Sequence, residues 1–208
     1  MSGSRQARPP ATADGSVAPD GSRARLRAAA VAAFAERGFH GTTTRDIATA
    51  AGMSPAALYV HHRSKEELLH ELSLAGHQAT IDLIKEALDS SESPTEQLRA
   101  LVHSFAVHHA RGHTSARVVN YELASLSPEH LAGILALRHE IDTLVRGVVE
   151  AGVAAGEFDV PNPRLAATAL LSLGIDLARW YRDDGGWSPE DVADGYAEIA
   201  LRIVGVPR

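Results

Sequence analysis

Side chains suited to gripping and reading a nucleic acid are concentrated between Thr43 and Lys65 of the 208-residue sequence. Arg45 is long enough to reach guanine O6 and N7. Ser54, Ala56 and Ala57 are small enough to let a helix end approach base edges, where methyl groups meet thymine methyls and a hydroxyl donates or accepts. Tyr59, His61 and Lys65 offer donors to phosphate oxygens, contacts that position without specifying. Tyr59 is equally suited to the core of a small helical unit, and Arg45 to solvent. Charge favours the nucleic-acid reading. Residues 1–65 hold nine Lys and Arg against four Asp and Glu, and residues 66–208 hold eleven against twenty-two, so the net charge of −6 averages a basic head and an acidic body.

Two other chemistries compete. The 11 histidines raise a metal-responsive alternative. His103, His108, His109 and His113 are read on one helix, and the i, i+4 pair His109 and His113 has spacing to chelate zinc or nickel, with further ligands needed from elsewhere. The absence of cysteine excludes thiolate metal sites, disulfides and thiol nucleophiles, and fits a reducing cytoplasm. An enzyme is the alternative of another class. Its support is thin: Asp183-Asp184 and Glu190-Asp191 sit where helix ends explain them, His139-Glu140 lacks a second histidine at zinc-protease spacing, and no Gly-rich phosphate loop follows a strand. No catalytic residue, metal site or cofactor is expected.

Helices must position the basic residues, because 45% hydrophobic and 5% aromatic content, rich in Ala and Leu, favours them and no stretch shows sustained β-type alternation. Residues 1–21 mix Ser, Gly, Pro, Ala and Arg without apolar periodicity, and are read as a disordered arm. From Ser22 a stripe of Leu26, Ala30, Ala33 and Phe34 runs to a stop at Gly38. Thr43 or Thr44 caps a short second helix with Ile47, Ala48 and Ala51 inward, and Gly52 ends it. Ser54-Pro55 opens a third, with Leu58 inward. The same Ser-Pro device recurs at Ser93-Pro94, Ser127-Pro128 and Ser188-Pro189, and Ser64 with Glu67 and Ser93 with Glu96 have capping-box spacing. Helices are therefore placed near 64–89, 94–111, 114–125, 128–155, 163–182 and 188–204. The fold class is all-α, with about nine helices: a helix-turn-helix unit at 22–66 and a larger helical body at 67–208. No apolar run is long enough to span a membrane and no signal core begins the chain, so a cytoplasmic protein is expected.

The run from Gly41 through Thr-Thr-Thr-Arg-Asp-Ile-Ala-Thr-Ala-Ala-Gly-Met-Ser-Pro-Ala-Ala-Leu to Tyr59, followed by His61 and by Ser64-Lys65-Glu66-Glu67-Leu68-Leu69, resembles the DNA-binding domain of tetracycline-repressor-like (TetR family) transcriptional regulators. The resemblance covers residues 22 to about 72. It implies that Thr43, Thr44, Arg45, Ser54, Pro55, Ala56, Ala57, Tyr59, His61 and Lys65 occupy DNA-contacting positions. His62 departs from it, since the family usually has an apolar residue there. The resemblance further implies a homodimer built on the last two helices, a near-palindromic duplex operator, and a fourth helix linking a ligand pocket to the reading head.

The body supports part of this independently. Leu165, Ala169, Leu173, Leu177 and Trp180 form one stripe of the 163–182 helix, and Ala166, Leu170 and Leu171 a second, so that helix must bury two faces. Residues 114–204 resemble actinobacterial regulators of lipid and sterol catabolism, which implies a small hydrophobic effector of the acyl-CoA kind. Phe105, Val107, Asn120, Tyr121, Leu173, Asp176, Leu177 and Trp180 are the candidate ligand contacts, chosen as apolar or convergent polar groups on central helices. Arg138, Arg179 and Arg182 are candidate partners for coenzyme A phosphates. Each of these residues also reads as plain core or as a surface ion pair.

Overall fold

In a computed structural model the described residues, 19–206, form nine α-helices and one 3-10 turn, with no strand among them. The helices are α1 (Pro19–Arg37), α2 (Thr44–Ala50), α3 (Pro55–His61), α4 (Lys65–Asp89), α5 (Pro94–Arg111), α6 (His113–Tyr121), α7 (Pro128–Ala154), α8 (Pro163–Trp180) and α9 (Pro189–Ile203). Helix α1 begins three residues before Ser22, and the rest of the segment read as an arm lies outside the described residues. The helix expected over 114–125 ends at Tyr121, and Leu123–Ser125 form the 3-10 turn.

The Ser-Pro signals act as helix starts. Ser54, Ser93, Ser127 and Ser188 each accept the backbone N–H three residues on, with proline in the first turn where its missing N–H costs nothing. Asn162-Pro163 uses the same device at α8. Reciprocal capping boxes form at Thr43 with Asp46 and Ser188 with Asp191. At α4, Ser64 accepts from Glu67 as expected, while the Glu67 carboxylate takes the backbone N–H of Arg63.

Two main apolar clusters result. One unites α1, α2 and α3 with Leu68, Leu69 and Leu72 of α4, and continues to Val118, Leu126 and Ile134. The other joins α4, α5, α7, α8 and α9 around Ile84, Leu98, Val145 and Leu170. Helix α4 therefore belongs to both, its first three turns in the head and its last turns in the body. Among the described residues no helix is long and apolar enough to cross a membrane.

Candidate nucleic-acid interface and ligand cavity

The head is held together from beneath its exposed face. Ile47, Ala48 and Leu58 are buried, which fixes α2 against α3. Between them Gly52 adopts φ +67, a left-handed conformation that a side chain makes costly, and so sets the turn. Ser54, Pro55 and Ala56 are then exposed at the α3 N-terminus and Ala57 is half-exposed, with Ser54 Oγ 3.2 Å from the Ala57 nitrogen. Arg45 is exposed at the start of α2. Tyr59 is 54% exposed, and its hydroxyl lies 3.2 Å from Thr44 Oγ1, tying the first turn of α2 to α3.

Other residues in the predicted set do structural work. Thr43 spends its hydroxyl on the capping box, donating to Asp46 Oδ2 at 2.7 Å and accepting from the Asp46 nitrogen. These bonds to the Thr43 hydroxyl and backbone hold the Asp46 carboxyl below its usual value against the opposing effect of burial, with lesser help from Arg37 and Arg45. Lys65 donates to the carbonyls of Phe39 at 2.7 Å and Thr42 at 2.8 Å, and its ammonium sits 4.2 Å from the centre of the Phe39 ring. It thus clamps the α1–α2 connection. His61 is half-exposed at the end of α3. The departure at His62 is resolved by a neighbour: the ring fills the core position at 2% exposure, with Nδ1 3.4 Å from Glu71 Oε2.

In the body, a cavity of about 190 Å³ opens between α4, α5, α6, α7 and α8. Of the expected ligand contacts, Phe105 and Asn120 line it. The others lie elsewhere. Val107 faces a surface groove with Leu83 and Arg111, and Tyr121 lies against Phe34, Arg117 and Arg179. Asp176 pairs with Arg179 at 3.3 Å, and Leu177 is buried with Ala106, Ala110 and Tyr181. Leu173 and Trp180 are exposed. The physical reason is helical phase: α8 presents Leu171 and Ile175 to the cavity, and Leu173 and Leu177, two positions on, are turned about 200° away. Sequence reasoning missed His77, Thr80, His108, His109, Val119 and Ile141 as lining residues. Arg138, named for phosphates, lines the cavity too, whereas Arg179 and Arg182 are exposed on the outside.

The histidines do not converge as the metal reading required. His113 opens α6 beyond Gly112, with Nδ1 near the Ala110 carbonyl at 3.1 Å. His109 donates to the Phe105 carbonyl and stacks on the Phe105 ring at 4.1 Å, and His103 turns to Asp194. Among the described residues no three His, Asp or Glu side chains are grouped to hold a metal ion. Burial pushes the His109 ring down to about 4 and lowers His77 and His108 as well, so the cavity histidines are neutral near pH 7.

An exposed helix-turn-helix on a basic head, joined through one long helix to a body with a small-molecule cavity, defines a DNA-binding transcriptional regulator. The chain belongs to the TetR family. Residues 26–72 match the family of bacterial regulatory proteins, tetR family, and residues 91–204 match the tetracyclin repressor-like C-terminal domain. The HTH-type transcriptional repressor KstR2 of Rhodococcus jostii (strain RHA1) is 32% identical over 195 residues, which cover 92% of this chain and 95% of that one. A crystal structure of a tetR-family bacterial regulatory protein from Rhodococcus RHA1 is 41% identical with a TM-score of 0.85, over 90% of this chain and 98% of that one. AibR, solved in complex with isovaleryl coenzyme A and operator DNA, is 26% identical with a TM-score of 0.78, over 86% and 97% of the two chains.

Proposed function

We propose that the protein is a cytoplasmic repressor and not a catalyst. It binds a near-palindromic operator as a homodimer and leaves it when a small hydrophobic effector, an acyl-CoA thioester or a related lipid-derived ligand, occupies the cavity. The observation that carries this reading is the continuity of α4: Leu68, Leu69 and Leu72 pack the head, and Gly76, His77 and Thr80 of the same helix line the cavity. A ligand that favours one placement of α4 changes the placement of the head, provided it binds the two arrangements unequally. The repressor name of KstR2 and the pairing of isovaleryl coenzyme A with operator DNA in AibR support the same roles here.

In this reading Arg45, Ser54, Pro55, Ala56 and Ala57 face base edges, Thr44, Tyr59 and His61 face phosphates, and Thr43, whose donors are spent on Asp46, and Lys65 stiffen the connection behind them. The dimer uses the face of α8 and α9 where Leu165 (64% exposed), Leu173, Trp180 and Ile199 stand in solvent in the single chain. Two-fold symmetry then sets the recognition helices roughly 34–36 Å apart. Cavity size constrains the effector. An apolar cavity of about 150 Å³ holds benzene, so about 190 Å³ takes a short acyl group or one ring, and the coenzyme A portion of a thioester stays outside.

The test is a titration of labelled palindromic duplex from the protein's own promoter region against random duplex, repeated with short- and long-chain acyl-CoAs. Tight, salt-dependent, selective binding that short acyl-CoAs reverse is expected. Equal affinity for random duplex would sink the operator, and no release by any acyl-CoA would sink the thioester.

A further inference from the structure

Arg138 is a lone permanent charge in the cavity. No Asp or Glu lines that space among the described residues, and the three histidines that do are held neutral by burial. The two hydrogen-bond partners of Arg138 are uncharged, and both contact Nη1: Asn120 Oδ1 at 2.9 Å and His77 Nε2 at 3.4 Å. Each is itself oriented to accept. Asn120 Nδ2 donates to the Ala116 carbonyl, which turns Oδ1 toward the arginine. His77 Nδ1 donates to the Ser73 carbonyl at 2.8 Å, which leaves Nε2 as the lone-pair nitrogen. Nε and Nη2 of the guanidinium have no hydrogen-bond partner among the described residues.

A half-buried guanidinium that is aimed by two neutral acceptors and lacks an anion is costly as it stands. The fork formed by Nε and Nη2 matches one carboxylate, taken through two parallel N–H···O bonds. A phosphate monoester fits less well, because its second charge would meet no second cation in this space.

We propose that the cavity takes a ligand with a carboxylate on a short apolar body, that Arg138 binds the carboxylate, and that Phe105, Val119, Ile141, Leu171 and Ile175 enclose the body. Asn120 and His77 are positioning residues for the guanidinium. The proposal rests on the reading of the cavity as the effector site and narrows its ligand class. The carboxylate has two possible sources, a free acid or the far end of a dicarboxylic half-thioester of coenzyme A.

Calorimetric titration of the full-length protein with hexanoate, hexanamide and 1-hexanol, and with hexanoyl-CoA and adipoyl-CoA, tests it at pH 7.5. Hexanoate is expected to bind about ten- to a hundredfold more tightly than its neutral analogues, the worth of a charge-assisted bond, and R138M to abolish that preference. Adipoyl-CoA binding more tightly than both hexanoate and hexanoyl-CoA would assign the half-thioester, and hexanoate binding most tightly the free acid. Neutral analogues binding as well as hexanoate, hexanoyl-CoA outbinding both carboxylate probes, a preference that survives R138M, or no binding of hexanoate and adipoyl-CoA would each overturn the proposal. Operator release by hexanoyl-CoA in any of those cases leaves the effector reading standing, and no binding or release by any of the five probes removes both.

Discussion

Glu66 and His130 join the first turn of α4 to the first turn of α7, with Glu66 Oε1 2.8 Å from His130 Nδ1 and 2.8 Å from the Ser127 nitrogen that donates to it. His70 stacks on the same imidazole, ring centres 3.8 Å apart. The junction therefore lies one residue from the start of the helix shared by head and body.

Removing the Glu66 carboxylate should loosen this junction. Burial opposes its charge, but the Ser127 N–H and the His130 ring together hold the carboxyl below its ordinary 4.5. A carboxyl that titrates lower in the folded chain contributes stability that is complete above the unfolded value and is lost as pH falls through the folded one. Glu66→Ala is expected to cost about 1–2 kcal/mol at pH 7, with the gap to wild type closing below about pH 4.5. Urea unfolding at pH 7 and pH 4 measures both, and an unchanged gap would refute the assignment.

His62 makes the opposite kind of prediction. Its Nε2 is buried without a partner, while Glu71, its neighbour at Nδ1, is also held by Arg27 at 2.8 Å. Burial lowers the imidazole against the pull of Glu71 and Glu67. The neutral ring is thus favoured in the fold, and the stability is present above the unfolded value near 6.5 and lost as pH falls from there through the folded value. Phenylalanine removes the orphaned nitrogen and leaves Glu71 its arginine. His62→Phe is expected to add about 1 kcal/mol, or roughly 2–4 °C in Tm, and to flatten the decline between about pH 7 and 5. Scanning calorimetry across that range decides it. His109, which titrates at about 4, keeps part of the acid sensitivity in the variant.

The reading head was legible because its signals are local. Thr43, Gly52 and Ser54-Pro55 act within one turn of themselves, so cap, turn and helix start follow from neighbours in sequence. Lys65 shows the limit: its type suggested phosphate, but its partners are carbonyls 23 and 26 residues away. The cavity was harder to see for the same reason. Its walls come from five helices, and Ala and Leu are so evenly spread around α8 that composition could not separate the Leu171–Ile175 face from the Leu173–Leu177 one. His77 and His109 were missed because their roles depend on backbone carbonyls one turn back, and for His77 on the Arg138 guanidinium across the space.

Gly174 sets how much of the cavity Phe105 leaves open. A Cβ at this position would come within 2.5 Å of Cδ1 and Cε1 of Phe105, whose ring lines the cavity and stacks on His109. Gly174→Ala must displace that ring. The expected result is a loss of about 1–3 kcal/mol in stability, at least tenfold weaker binding of cavity ligands, and unchanged affinity for the operator, since the head is untouched. Thermal unfolding, ligand titration and duplex titration on one preparation separate the three effects, and intact ligand affinity would mean that the ring moves without closing the space.

Arg45 and Tyr59 should fail in different ways if they have the roles proposed for them. Arg45 makes no hydrogen bond or ion pair among the described residues, so its guanidinium is available to a base edge, whereas the Tyr59 hydroxyl shares its environment with Thr44 Oγ1 and suits a phosphate oxygen. Arg45→Ala is expected to weaken operator binding by about 1–3 kcal/mol and to relax discrimination at one symmetric pair of positions, with random-duplex binding less affected. Tyr59→Phe removes a neutral donor, so both duplexes should lose roughly 0.5–1.5 kcal/mol alike and the salt dependence should stay the same. Anisotropy titrations from about 50 to 200 mM salt on operator, single-position variants and random duplex distinguish the outcomes. A uniform loss for Arg45→Ala, with the salt slope falling by about one, would move that residue from the bases to the backbone.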